Sequence, residues 1–214
     1  AASAGDTVQV ACGTYYEHDV RMKSGISLRS ETGAAGCATI NAESLGRALV
    51  CLNANAQTRI EGLTFRHGRT DDGDGNEPWP GFGAGVFCIA SSPQIRACRF
   101  WDCYAESGGA GLCLFECPSV LIEDCRFDLN ETIDYGAALM TDYSSASIVG
   151  SQFIHNTTSN LGGAVSCTYS TLDFADCTFA YNEALHGGGL RAQESHISLS
   201  GCTLVWNEAQ SGGG

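Results

Sequence analysis

Apolar and polar positions alternate along this chain in short bursts, and the bursts recur. Val120, Ile122, Cys125 and Phe127 form one set. Leu172, Phe174, Cys177 and Phe179 form the next, and Ile197, Leu199, Cys202 and Leu204 a third. Alternation with a period of two marks strands, because successive side chains point to opposite faces. The three-residue step from Ile122 to Cys125 breaks the alternation and predicts a bend between two strands. A third strand is expected at the aliphatic residue after each run of small residues, as in Leu112-Cys-Leu114 and Val165-Ser-Cys167. The pattern therefore predicts about three short strands per unit and no helix.

The units repeat at nearly constant spacing. Phe127-Asp-Leu-Asn130, Phe153-Ile-His-Asn156 and Phe179-Ala-Tyr-Asn182 share the form Phe-x-x-Asn, with Leu204-Val-Trp-Asn207 a variant. Each Phe is preceded by a matched position, Cys98, Cys125, Ser151, Cys177 and Cys202, in steps of 27, 26, 26 and 25 residues. A fixed period in this range signals a solenoid or a propeller. A propeller blade needs about 40 residues and four strands, so a coil of a parallel β-helix fits better. Successive coils then lie about 4.8 Å apart, and equivalent residues stack into ladders. Phe127, Phe153 and Phe179 are expected inside. Asn130, Asn156, Asn182 and Asn207 are expected at a tight bend, their amides bonded to one another and to backbone. The glycines of Gly162-Gly-Ala-Val165 and Gly187-Gly-Gly-Leu190 would form the opposite corner. Length over period gives about eight coils in one domain. Residues 1–82 are irregular, with an inserted loop over 69–81, and residues 83–214 carry the regular repeats.

Composition narrows the partners. The chain has 214 residues, 24 acidic and 11 basic, for a net charge of −13. That balance argues against nucleic acid and anionic membrane surfaces, which need clustered positive charge. No run of 18 apolar residues exists to insert in a bilayer. Twelve cysteines without a zinc-binding spacing suit an oxidising compartment, secreted or at the cell surface. Cys98 stacks on Cys125, and Cys177 on Cys202. Their spacing allows disulfides as readily as a buried ladder of small thiols. Cys12, Cys37, Cys51, Cys88, Cys103, Cys113 and Cys117 lie at irregular positions and are expected to act as staples near loops and corners.

Two stretches resemble known families. Over residues 83–214 the paired Phe-x-x-Asn and Gly-Gly-Ala-aliphatic motifs resemble the repeat of chlamydial polymorphic outer membrane proteins. Gly109-Ala-Gly, Gly136-Ala-Ala and Cys103 depart from that pattern. The N-terminal GDTVQVACGTYYEHDVRMKSGISL is similar to the opening coil of many bacterial pectate-lyase-like β-helix proteins. Both resemblances imply a right-handed parallel β-helix. The first implies a surface or adhesin role, and the second spans enzymes and non-enzymes.

Candidate chemistry is sparse. Asp71, Asp72, Asp74 and Asn76, with Glu77, form an acidic loop that could wrap calcium, or could be a solvated loop. Glu61, Arg96 and Glu123 fall on outward positions of three successive coils. The two glutamates would sit about 9–10 Å apart, near the limit for an inverting glycosidase pair. An alternating ion-pair ladder explains the same three residues. His67 and His155 share one outward corner position, separated by Asp102 and Leu129, and no histidine pair has metal-ligand spacing. Asn130 and Asn156 also match the glycosylation sequon, but their place in the ladder makes them structural first.

The sequence thus supports an extracellular structural or adhesive β-helix, binding surface glycans or other cells. Neither end shows a polar capping segment, so end-to-end self-association into filaments is expected if the chain is not a piece of a longer one. A polysaccharide lyase or glycoside hydrolase acting on acidic polysaccharide is the alternative on the same fold.

Overall fold

The computed structural model describes residues 2–73 and 79–212. Among them are strands, turns and bends but no helix, wound into a parallel β-solenoid of about seven turns. One coil gives the plan. Val120–Glu123 lies in sheet A and Arg126–Asp128 in sheet B. The two-residue Glu131–Thr132 lies in a short sheet D, and Leu139–Asp142 in sheet C. The chain then re-enters sheet A at Ser145–Val149, one coil on. Sheets A and B have eight strands each, sheet C seven and sheet D six. Sheets A and B thus show the eight expected passes, while the first two coils lack a sheet D strand and the last lacks a sheet C strand, which leaves about seven turns.

Three strands per coil were expected and four are found. The fourth is the two-residue segment after the asparagine bend, too short for alternation to mark it. The same point corrects the inserted loop. Arg69–Thr70 is a sheet D strand paired with Tyr104–Ala105, so the insertion starts after Thr70 rather than at Arg69.

The core is a set of columns. Ile60, Ile95, Ile122, Ile148, Phe174 and Leu199 follow one another in register through sheet A. In sheet B the rings of Phe100, Phe127, Phe153 and Phe179 stack at centroid distances of 4.4, 4.8 and 4.8 Å, within 5° of parallel. Phe65 extends the column at 5.5 Å. Each ring is fully buried, and burying such a side chain stabilises the fold by about 1.5–3 kcal/mol. The spacing follows from strand pairing, so the aromatic stack is imposed by the backbone once each coil places a Phe there.

Three corners turn by one device. A residue in the left-handed region is followed by a buried residue whose side chain satisfies backbone groups of neighbouring coils. Between sheets B and D the left-handed residues are His67, Asp102, Leu129, His155, Tyr181 and Trp206. The followers of the last four are the expected asparagines, while Gly68 follows His67 and Cys103 follows Asp102. Asn130, Asn156 and Asn182 each accept from the coil before and donate to the amide of the coil after, at 2.8–2.9 Å along the ladder. Between sheets C and A the followers are Cys117, Ser144, Ser170 and Ser195. Each serine Oγ accepts the backbone N–H of the follower one coil earlier, at 3.0–3.1 Å. The sequence reading missed this serine ladder. Between sheets A and B the followers are Cys98, Cys125, Ser151, Cys177 and Cys202.

The thiols settle the open question of pairing. Cys98, Cys125, Cys177 and Cys202 are free, as are Cys51, Cys88, Cys103, Cys113, Cys117 and Cys167. The sulfurs of Cys98, Cys125, Cys177 and Cys202 point at main-chain carbonyls, Cys125 Sγ at Glu123 and Ile95, so a possible pairing gives way to a buried ladder. The same holds for Cys51 and Cys88, which are in register in sheet C instead of stapling loops. The staple expected near a corner is present between Cys12 and Cys37, which join adjacent coils.

The glycine corner between sheets D and C is tight for a specific reason. Gly162 has φ of 73°, and a Cβ at Gly163 would collide with the carbonyl oxygen of Gly188 on the next coil. Only glycine permits that approach.

Candidate functional site

The interior is uniform, so functional differences lie on the outer faces. On sheet A, Arg29, Glu61, Arg96 and Glu123 are in register on four coils. Arg29 pairs with Glu61 at 3.3 Å and Arg96 with Glu123 at 2.6 Å. This is the alternating ion-pair ladder. Each carboxylate is held by an arginine, and Arg96 stands between the two glutamates where a glycosidase would need substrate.

The acidic insertion is only partly in view. Asp71 takes a bidentate contact from Arg69, both bonds at 2.9 Å. Asp72 accepts from Ser107 at 2.7 Å. Asp74 and Asn76 lie outside the described residues. The insertion also does something its acidic sequence did not suggest. Trp79 stacks on Phe115 at 4.5 Å, and Phe82 meets the same ring edge-on. They cover an apolar group on the outer face of sheet C made of Val50, Phe87, Cys113 and Met140.

The densest polar cluster is on sheet B, on either side of the Phe column. In a strand, the neighbours of an inward residue face outward. Flanking Phe65 is Arg66; flanking Phe100 are Arg99 and Trp101; flanking Phe127 are Arg126 and Asp128. Arg66 is in register with Trp101, and Arg99 with Arg126. The guanidiniums of Arg66 and Arg99 lie 4.5 and 4.6 Å from the Trp101 ring centre. Asp128 is buried and is bound by Arg99 at 2.7 Å and Arg126 at 3.1 Å. His155 Nδ1 lies 3.9 Å from the same carboxylate. His67 Nε2 lies 2.9 Å from Arg66 and 3.1 Å from Asp102. One ring nitrogen cannot accept from the arginine and donate to the aspartate at once, so these two contacts are alternatives.

The cluster holds its arginines at a cost. Nε of Arg66, Nε of Arg99 and Nε1 of Trp101 are buried without a hydrogen-bond partner among the described residues. Each such group costs about 1–3 kcal/mol. Stacking on the ring offsets part of this, by about 0.5–2 kcal/mol per cation–π contact. The result is pairs of guanidinium forks fixed in orientation on an otherwise acidic molecule. Stacked, oriented forks match carboxylate and sulfate groups.

Comparison with known proteins agrees with this architecture. A family described as the right handed beta helix region matches residues 24–204. The chain belongs to that family. The right-handed β-helix is thus established over the span that carries both the Phe column and the arginine cluster. No curated protein sequence matches the chain. Among solved structures it is similar to a pectin methylesterase from Yersinia enterocolitica, at 10% identity and a TM-score of 0.48, over 92% of this chain and 85% of that one.

The sequence reading placed the column residues correctly but passed over Arg66, Arg99, Trp101 and Arg126. A signal for them existed. Once each Phe is known to face inward, the residues on either side must face outward, and three of the chain's ten arginines occupy those flanks. His67 and His155, noticed for their shared corner, border this cluster.

Proposed function

We propose that the protein is a secreted or surface-exposed glycan-binding β-helix with an adhesive role, and that the outer face of sheet B receives the acidic groups of a polysaccharide. The observation that carries this is the clamping of Trp101 between Arg66 and Arg99. If these arginines only neutralised Asp128, Arg99 and Arg126 would suffice. Arg66 has no carboxylate partner among the described residues, and meets only the His67 ring and the face of Trp101. The resemblance of the repeats to polymorphic outer membrane proteins supports the adhesive setting.

The alternative, an enzyme acting on the same polymer, has a weaker basis. It needs a free carboxylate beside the cations, and Asp128 is already bound by two arginines. One experiment treats both readings. The protein is incubated with polygalacturonate, alginate and a neutral glucan, and both binding and release of reducing or unsaturated ends are followed. We expect binding to the acidic polymers alone, without products. The variant Arg66→Gln/Arg126→Gln leaves Arg99 on Asp128 and should weaken binding about tenfold or more. Equal binding to the neutral glucan, or an unaffected variant, would overturn the acidic-glycan reading. Product release would replace adhesion with catalysis.

A further inference from the structure

The corner between sheets B and D requires a left-handed residue in every coil, and glycine, asparagine or aspartate meet that requirement most easily. The corner between sheets A and B follows this preference in four successive coils, with Asp124, Gly150, Asp176 and Gly201. The corner beside the arginine cluster does not. Its last three positions are His155, Tyr181 and Trp206, at φ of 55°, 56° and 53°. Histidine is tolerated on that backbone, but Tyr181 and Trp206 are poor choices for it, and packing does not demand them. Tyr181 is 46% exposed and Trp206 70%. A tyrosine or tryptophan that breaks local preference and leaves about half or more of its surface in water points to what it presents to solvent.

What these three present is a continuous aromatic surface. The His155 and Tyr181 rings stack at 5.1 Å, and Tyr181 and Trp206 at 4.9 Å. The stack begins where the arginine cluster ends, because His155 is the residue that approaches Asp128. From His67 to Trp206 the corner spans five coil steps, about 24 Å along the axis. Sugar rings offer apolar C–H faces to aromatics and acidic groups to guanidiniums, so one extended chain can use both halves.

We propose that His155, Tyr181 and Trp206 are stacking subsites of an axis-parallel strip, and that an acidic polysaccharide lies along it. Its carboxylates or sulfates meet Arg66, Arg99 and Arg126, and the faces of its further rings meet Tyr181 and Trp206. This rests on the acidic-glycan reading of sheet B and adds direction, extent and a length requirement to it. A short oligosaccharide reaches only the arginines. A longer one also reaches the aromatics and binds more tightly.

The test is affinity against oligogalacturonate length, from three to about eight residues, by calorimetry and by tryptophan fluorescence. For the unaltered protein we expect the longer oligomers to bind about tenfold more tightly, a gain of about 1.4 kcal/mol. In Tyr181→Asn/Trp206→Asn, whose new residues suit the left-handed backbone, trimer affinity should stay and the length gain should vanish. In Arg66→Gln/Arg126→Gln every length should weaken. Circular dichroism and melting confirm that both variants fold. A length gain that survives in the aromatic variant, while the arginine variant weakens, overturns the strip and leaves the acidic-glycan reading intact. Undiminished binding of every length by the arginine variant overturns that reading, and the strip with it.

Discussion

At the scale of single residues, the stability of the coil depends on amides and hydroxyls that cannot be replaced by apolar groups of equal size. Asn156 accepts from the backbone N–H and the side-chain amide of Asn130, at 3.1 and 2.9 Å. It donates to Phe127 O and Asn182 Oδ1, at 3.1 and 2.9 Å. Asn156→Ala would strand several of these groups in a fully buried site, each costing about 1–3 kcal/mol. We expect a loss of about 3 kcal/mol or more in urea unfolding. A loss under about 1 kcal/mol would mean that water replaces the amide. The same burial makes Asn130 and Asn156 poor glycosylation acceptors in the folded protein, despite their sequons.

The thiols make a second prediction at this scale. Burial raises Cys103 from the ordinary 9.0 to about 12, and Cys117 and Cys177 to about 11. The unfolded chain therefore releases these protons at lower pH than the folded one. Their contribution is fully present below about pH 9 and is lost as pH rises through about 11–12. The urea midpoint should be flat from pH 7 to 8.5 and fall beyond pH 9. Cys177→Ser, which copies the residue found at position 151, should show a smaller fall. If it falls as steeply as the parent, other groups control the alkaline limb.

At the scale of elements, the inward columns carry the fold. Phe153 sits between Phe127 and Phe179 and meets Phe174 edge-on at 6.0 Å. Phe153→Ala should cost about 3–5 kcal/mol. Amide exchange should show the damage concentrated in the coils on either side, because each coil contacts only its neighbours. Uniform loss of protection from Val8 to Leu204 would show that the solenoid unfolds as one unit.

These columns were also what the sequence revealed most clearly. A buried position repeats its chemistry in every coil, so Phe and Asn recur at a fixed interval. The short strands such as Glu131–Thr132 were hidden because two residues hold no alternation. The ladder of Ser144, Ser170 and Ser195 shares the interval of the asparagines, but serine is frequent elsewhere in the chain and stands beside no marker as distinctive as Phe. The arginine cluster was hidden for another reason. Outer positions face solvent and need not repeat, so Thr64, Arg99, Arg126, Gln152 and Thr178 occupy one column without a common character.

At the scale of the whole molecule, a net charge of −13 opposes the acidic polysaccharide proposed for the sheet B face. The two effects act over different distances and can be separated by salt. At 0.01 M ionic strength the screening length is about 30 Å, and an approaching acidic polymer feels the entire negative molecule. At 0.15 M it is about 8 Å, and the polymer feels chiefly the arginines it touches. Far higher salt screens those contacts as well. Affinity for polygalacturonate should therefore rise from 0.01 M to about 0.1 M salt, pass through a maximum, and decline by 0.5 M. Arg66→Gln/Arg126→Gln removes the attractive part, so its weaker binding should show no decline above 0.1 M. Binding by non-specific ion exchange would fall steadily from the lowest salt onward. Such a steady fall in the unaltered protein would mean that its distributed charge does not govern approach to sheet B, and that the arginines act as an ordinary cationic patch.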